Sequence, residues 1–109
     1  MIEIRKSVRV PVSLTSKYRL TTTIDYSEAS LYNLSRGGMF IESDRPAARG
    51  TLLKIVCDVL DHDPIQGVGR VVWLRSTQGA KGPAGMGIKF VKLDPGSDRA
   101  ITRLVGSNA

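Results

Sequence analysis

Asn33-Leu34-Ser35-Arg36-Gly37-Gly38 runs directly into Met39-Phe40-Ile41, and the chain on either side is organised around this stretch. Asn and Ser side chains bond neighbouring backbone groups and favour turns. Glycine reaches backbone angles closed to other residues and lets another group come close to the main chain. A hairpin turn needs only one such pair, whereas this stretch holds Asn33, Ser35, two glycines and an arginine between apolar segments. Two readings stay open on these residues alone: a structural loop, or a loop that presents polar groups to a ligand. The second gains weight from Arg5-Lys6-Ser7-Val8-Arg9 near the N-terminus.

Working outward, Val8, Val10, Val12 and Leu14 alternate with polar residues or proline, the pattern of a half-buried strand. Pro11 cannot donate to a ladder, so the strand is expected to lie at an edge or to bulge there. Thr21 to Ile24 carry strand propensity and Asp25-Tyr26-Ser27 reads as a turn. Glu28 to Asn33 is the strand that feeds the loop, and Met39 to Glu42 the short strand that leaves it. Leu53, Ile55, Cys57 and Val59 alternate, and Asp61-His62-Asp63-Pro64 closes that segment. A long strand is expected over Ile65 to Arg75, where Gly67 and Gly69 mark a bulge or a tight barrel corner. Ser76 to Gly85 reads as a mobile loop, and Met86, Ile88 and Phe90 alternate in a last strand. Asp94 to Asp98 offers a helix start, with Ile101, Leu104 and Val105 on one apolar face and a frayed end from Gly106 onward. Several short strands with one late helix predict a small antiparallel barrel or sandwich.

With 109 residues the chain fits one domain, 1–109, able to bury a core without disulfide or metal. No apolar run approaches the ~18 residues of a membrane span, and the N-terminus lacks the apolar stretch of a secretory signal. Cys57 falls in an apolar segment and is expected to be a buried thiol, which suits the cytoplasm. Sixteen Lys and Arg against ten Asp and Glu give a net charge of +6, favouring an anionic partner. A single His and a single Cys put the usual zinc sites and His-dependent triads out of reach. Gly85-Met86-Gly87 opens a strand, not a helix, so it is no dinucleotide loop. Catalytic and metal sites are therefore expected to be none.

Taken together, the two stretches resemble those of the PilZ domain family of bacterial cyclic di-GMP receptors, which carry Arg-x-x-x-Arg and, some way on, Asp/Asn-x-Ser-x-x-Gly. Arg5 to Arg9 and Asn33 to Gly38 match those motifs, and the likeness continues through Met39-Phe40-Ile41, Gly69-Arg70-Val71-Val72-Trp73 and Gly85 to Phe90. It implies a mainly β fold, a six-stranded antiparallel β-barrel with a C-terminal α-helix. Residues 1–9 would be a ligand clamp, 8–93 the barrel and 97–106 the helix. It also implies cyclic di-GMP as ligand, with no further cofactor, and Arg5, Arg9, Asn33, Ser35 and Gly38 as its binding residues. Lys6, Arg36 and Gly37 are secondary candidates. Trp73 fits either a ring stacked on a base or, preferred, a core or barrel-rim residue.

Such a site makes chemical sense, because arginine's planar fork bonds two acceptors at once, on phosphate or on guanine. Three functions follow in order of preference. The first is a cytoplasmic second-messenger receptor that relays cyclic di-GMP to an effector protein by ligand-dependent contact. The second is an adaptor of the same fold, in pilus or motility machinery, that binds no nucleotide. The third is a basic barrel for RNA or single-stranded DNA. That last reading is disfavoured, because none of the six aromatic residues is interleaved with the basic cluster.

Overall fold

Alternating apolar residues can be buried on one side of a sheet only if that sheet packs on something, and here it packs on itself. The computed structural model describes residues 10–59, 63–76, 79 and 82–108. Six strands run as β1 (Val10–Leu20), β2 (Ser27–Leu34), β3 (Gly38–Glu42), β4 (Leu52–Cys57), β5 (Ile65–Arg75) and β6 (Gly85–Leu93). One helix, α1 (Ser97–Asn108), follows them. All pairings are antiparallel and the sheet closes as β1-β2-β3-β6-β5-β4. Closure removes the free edges a flat sheet would expose. It also gathers Leu31, Leu34, Met39, Ile41, Leu53 and Ile55 into one interior, each at most 1% exposed. The mainly β barrel with a C-terminal helix is thus the observed architecture.

Pro11 meets its constraint through an irregularity, since the β1–β2 register shifts between Pro11 and Leu14. The β5–β6 register likewise shifts between Val68 and Gly69, and again between Val71 and Trp73. Such bulges bend strands around a small barrel. Thr21 to Ile24 departs from its expected strand character. β1 runs on to Leu20, the next residues turn, and Ile24 is 89% exposed. The turn is bonded locally: the Thr23 amide donates to the Leu20 carbonyl (3.0 Å), and Arg19 Nη1 donates to the carbonyls of Leu20 (3.2 Å) and Thr23 (2.7 Å). Those carbonyls are withdrawn from any ladder, and local bonding overrides propensity.

α1 closes the structure through its launch. Asp94-Pro95-Gly96-Ser97 is a type II turn, with the Ser97 amide donating to the Asp94 carbonyl (3.1 Å) and Gly96 at φ 88°. Buried Ser97 Oγ then accepts from the Gln66 amide (2.9 Å) and reaches the Gln66 carbonyl (3.0 Å), tying the helix to β5. Ala100, Ile101 and Val105 enter the barrel core. A fully buried side chain the size of Ile101 contributes about 1.5–3 kcal/mol. The helix continues through Gly106 to Asn108, beyond the expected fraying point. A helical glycine costs only about 1 kcal/mol against alanine, too little to stop it.

Two buried polar groups make the core testable. Ser16 Oγ, fully buried on the inward side of β1, has no hydrogen-bond partner among the described residues. An orphaned buried hydroxyl costs roughly 1–3 kcal/mol, so Ser16→Ala should raise the urea midpoint of unfolding. A lower midpoint would mean that the hydroxyl is bonded after all. Burial, and secondarily the Asp58 carboxylate, pushes the Cys57 thiol from 9.0 up to about 11. A raised folded value means that the stabilisation is complete below pH 9.0 and is lost as pH climbs toward about 11. Midpoints should fall across that window, and less so in Cys57→Ala; equal losses in the two proteins would assign the fall to other groups.

Candidate functional site

The Asn33–Gly38 stretch is the β2–β3 hairpin, and its bonding is tighter than a plain turn needs. The Ser35 amide donates to the Gly38 carbonyl (2.9 Å), and Ser35 Oγ approaches the same oxygen at 3.3 Å. Arg36 and Gly37 form the exposed tip. That tip does not stand free, because the Phe90 amide of β6 donates to the Gly37 carbonyl (2.9 Å). The loop is therefore fixed at its base by its own serine and at its tip by a neighbouring strand.

Gly38 has a purpose the sequence did not disclose. It was expected to admit a ligand or to hold a special backbone angle, yet its φ is not among the positive ones, which belong to Gly50, Gly82 and Gly96. A Cβ at Gly38 would overlap the backbone carbonyl oxygen of Ile88. Its missing side chain is what allows β3 to lie against β6.

On the outer side of the same strands, Phe40, Gly87 and Trp73 stand in register across β3, β6 and β5. With no side chain on Gly87, the Phe40 and Trp73 rings meet above it, centroids 4.9 Å apart. A Cβ at Gly87 would collide with the indole. Tyr32 adds an edge contact to Phe40 at 5.9 Å. The Arg75 guanidinium lies over both Phe40 (4.8 Å) and Trp73 (5.3 Å) while its Nη1 donates to the Pro83 carbonyl (2.9 Å). Aromatic pairing and cation–π attraction of this kind hold a flat wall rigidly. Trp73 is accordingly a half-buried outer-wall residue.

A groove of about 940 Å³ crosses this surface, running from the hairpin to the start of α1. Ser35, Arg36 and Gly37 border it at one end, and Asp94, Pro95 and Asp98 at the other. Its wall includes Val72 and Trp73, and its floor is formed by β6 from Ile88 to Leu93. Asp94 is engaged by Lys54 at 3.6 Å, and the cations of the lining are Arg36 at the hairpin end and Lys89 and Lys92 on β6. Ser35 Oγ, while donating to Gly38, keeps lone pairs that can accept from a ligand. Aromatic and apolar walls with a few convergent polar groups are the usual make-up of a small-molecule site.

The sequence-derived candidates divide over this geometry. Ser35, Arg36, Gly37 and Trp73 share the groove. Half-buried Asn33 lies beside it on β2, opposite Phe40 on one side and Pro11 on the other. Gly38 sits below, between the strands. Arg5, Lys6 and Arg9, with the clamp over 1–9, lie outside the described residues, as does His62. Val10, the residue after Arg9, pairs with Leu34, the residue before Ser35. Lys89 and Lys92 were missed. The outward position of Lys89 could be read from the alternation of Met86, Ile88 and Phe90, whereas Lys92 shares their parity and is exposed beyond the register shift at Val68 and Gly69. The place of Lys89 beside the hairpin depends on β3 pairing with β6.

Among the described residues no helix is long and apolar enough to cross a membrane, and no three His, Cys, Asp or Glu side chains come together as a metal site. The family model described as PilZ domain matches residues 3–107. Among solved structures, the chain is similar to the Bacillus subtilis inhibitor of motility MotI/DgrA, with a TM-score of 0.73 at 15% identity. That match covers 92% of this chain but 48% of the other, so the chain spans about half the length of that relative. It is also similar to the PilZ domain of YcgR from Escherichia coli, solved with c-di-GMP, with a TM-score of 0.67 at 18% identity over 93% of this chain and 88% of that one. A third likeness is to the PilZ domain of CeSA from a cellulose-synthesizing bacterium: TM-score 0.62, 20% identity, 92% and 96% covered. No curated protein matches the sequence.

The close approach of β6 to Gly38 carries its own expectation. Gly38→Val should lower the thermal midpoint severely or prevent folding, because a backbone oxygen cannot swing aside as a side chain can. A well-folded Gly38→Val protein with a normal midpoint would return this glycine to a purely ligand-facing role.

Proposed function

The chain belongs to the PilZ domain family, and on that premise we propose that it is a receptor for cyclic di-GMP, relaying the signal by ligand-dependent contact with an effector protein. PilZ domains are regulatory receptor domains. The observation that carries the reading is the groove, where the Ser35-Arg36-Gly37 hairpin, a basic β6 and the Trp73 wall converge. Cyclic di-GMP offers two phosphates and two guanines. It therefore calls for cations, short polar groups and flat apolar surface in one place. The groove's volume of about 940 Å³ lies in the usual range of a small-molecule site, roughly 300–1,000 Å³.

In this proposal Arg5 and Arg9 supply the motif cations. Connectivity supports the arrangement, since Arg9 is one peptide bond from Val10, whose partner Leu34 precedes the hairpin. Asn33 and Ser35 would read a guanine edge, with Ser35 accepting from a guanine N–H. Gly38 would serve the site by letting the hairpin and β6 sit side by side. The effector would be recruited only in the liganded state, in the cytoplasm. The PilZ domain of YcgR, which was solved with c-di-GMP, supports the ligand class.

Trp73 is the only tryptophan and lines the groove, so its emission is a built-in probe. Titration with cyclic di-GMP should change that emission saturably, whereas GTP and single-stranded DNA should not. Arg5→Ala and Arg9→Ala should each weaken binding roughly ten- to hundredfold, the value of a charge-assisted bond of about 1.5–3 kcal/mol. The thermal midpoint without ligand should hardly move. Unchanged affinity in both variants, or no binding by the wild-type protein, would defeat the receptor reading.

A further inference from the structure

Two rows of residues cross the outer face of β3, β6 and β5 side by side. One is the aromatic row of Phe40, Gly87 and Trp73. The other, two residues along β3 and β6, is Gly38, Lys89 and Arg70, again directly opposite one another. Residues directly opposite in an antiparallel pair point to the same face, so exposed Lys89 and exposed Arg70 are neighbouring cations. Like charges in that relation cost stability. Among the described residues neither has a carboxylate within ion-pairing distance, the acidic Asp94 being taken by Lys54. Arg70 spends its Nη1 on the Gly50 carbonyl (3.1 Å), whereas Lys89 has no such bond among the described residues.

The other flank of Lys89 is open as well. Its neighbour Gly38 has no side chain, and the Gly37–Phe90 bond holds the Arg36 tip against β6 beside it. Arg36, Lys89 and Lys92 border the same groove. The geometry points to Lys89 as an anion-binding residue of the barrel body, taking a ligand phosphate together with Arg36, with Lys92 further along β6. Lys89 belongs to neither sequence motif. The inference rests on the receptor reading and deepens it. Phosphate contact is then shared between the N-terminal arginines and the rigid sheet, and an arriving phosphate also relieves the repulsion between Lys89 and Arg70.

Calorimetric titration with cyclic di-GMP, paired with thermal unfolding of the free proteins, separates this from a merely structural lysine. Lys89→Gln should bind about tenfold more weakly, while its unfolding temperature without ligand stays level or rises. Lys89→Arg should keep most of the affinity. Lys17→Gln removes an exposed lysine of β1 away from the groove, and it should stay within about twofold of wild type at ordinary ionic strength. Tight wild-type binding with an unchanged Lys89→Gln overturns the inference and leaves the receptor reading intact, as does an equal loss in Lys17→Gln, which would make the effect one of overall charge. Failure of the wild-type protein to bind overturns the receptor reading, and the role of Lys89 with it.

Discussion

A carbon atom at the Cβ position of residue 38 would overlap the carbonyl oxygen of Ile88, and the barrel depends on that space being empty. β3 and β6 are far apart in the chain, so their pairing must offset the entropy of closing the long connection between them. It does so through a ladder from Gly38 opposite Lys89 to Glu42 opposite Gly85. Without it the sheet would be open at β3 and β6, and Met39, Ile41 and Ile88 would lose their interior. The same approach delivers the β2–β3 hairpin to β6, where the Phe90 amide takes the Gly37 carbonyl. Fold and groove thus share one requirement.

Glycines set the outer surface in a second way. Gly85 and Gly87 leave a bare strip on β6 where Phe40 and Trp73 can meet, and a Cβ at either would strike a ring. The Phe40 ring is buried although it points away from the barrel interior, because Tyr32, Trp73 and Arg75 cover it. Arg75 belongs to this wall and also holds Pro83 of the β5–β6 connection. Its charge is committed to ring faces and a carbonyl, whereas Arg36, Lys89 and Lys92 stand around the groove. The division between structural and available cations follows from contacts, not from composition.

Much of this was legible in the sequence where a signal is local. The alternation of Leu53, Ile55, Cys57 and Val59 marks an inward face, and all four are buried. Pro11 and the Gly67–Gly69 pair flagged irregular registers that occur close to where they were expected. Thr21 to Ile24 misled because threonine favours strands only where its side chain has a pleated surface to pack on. Here Arg19 folds back over the carbonyls instead. Gly38 was singled out as a ligand residue, and its packing against β6 was hidden, since a sequence does not say which atom approaches a glycine. Lys89 was invisible for a related cause: its neighbours Gly38 and Arg70 come from two other strands.

In the proposed receptor, one outer groove, built from the β2–β3 hairpin and β6, would take cyclic di-GMP. Backbone-amide NMR shifts followed through a titration with that nucleotide test it most directly. The largest shifts should fall on Ser35 to Gly37, on Lys89 to Lys92 and on the Trp73 indole N–H, with little change at the Thr21–Tyr26 turn. Shifts centred on that turn or on the far end of α1, or no shifts at saturating nucleotide, would contradict it.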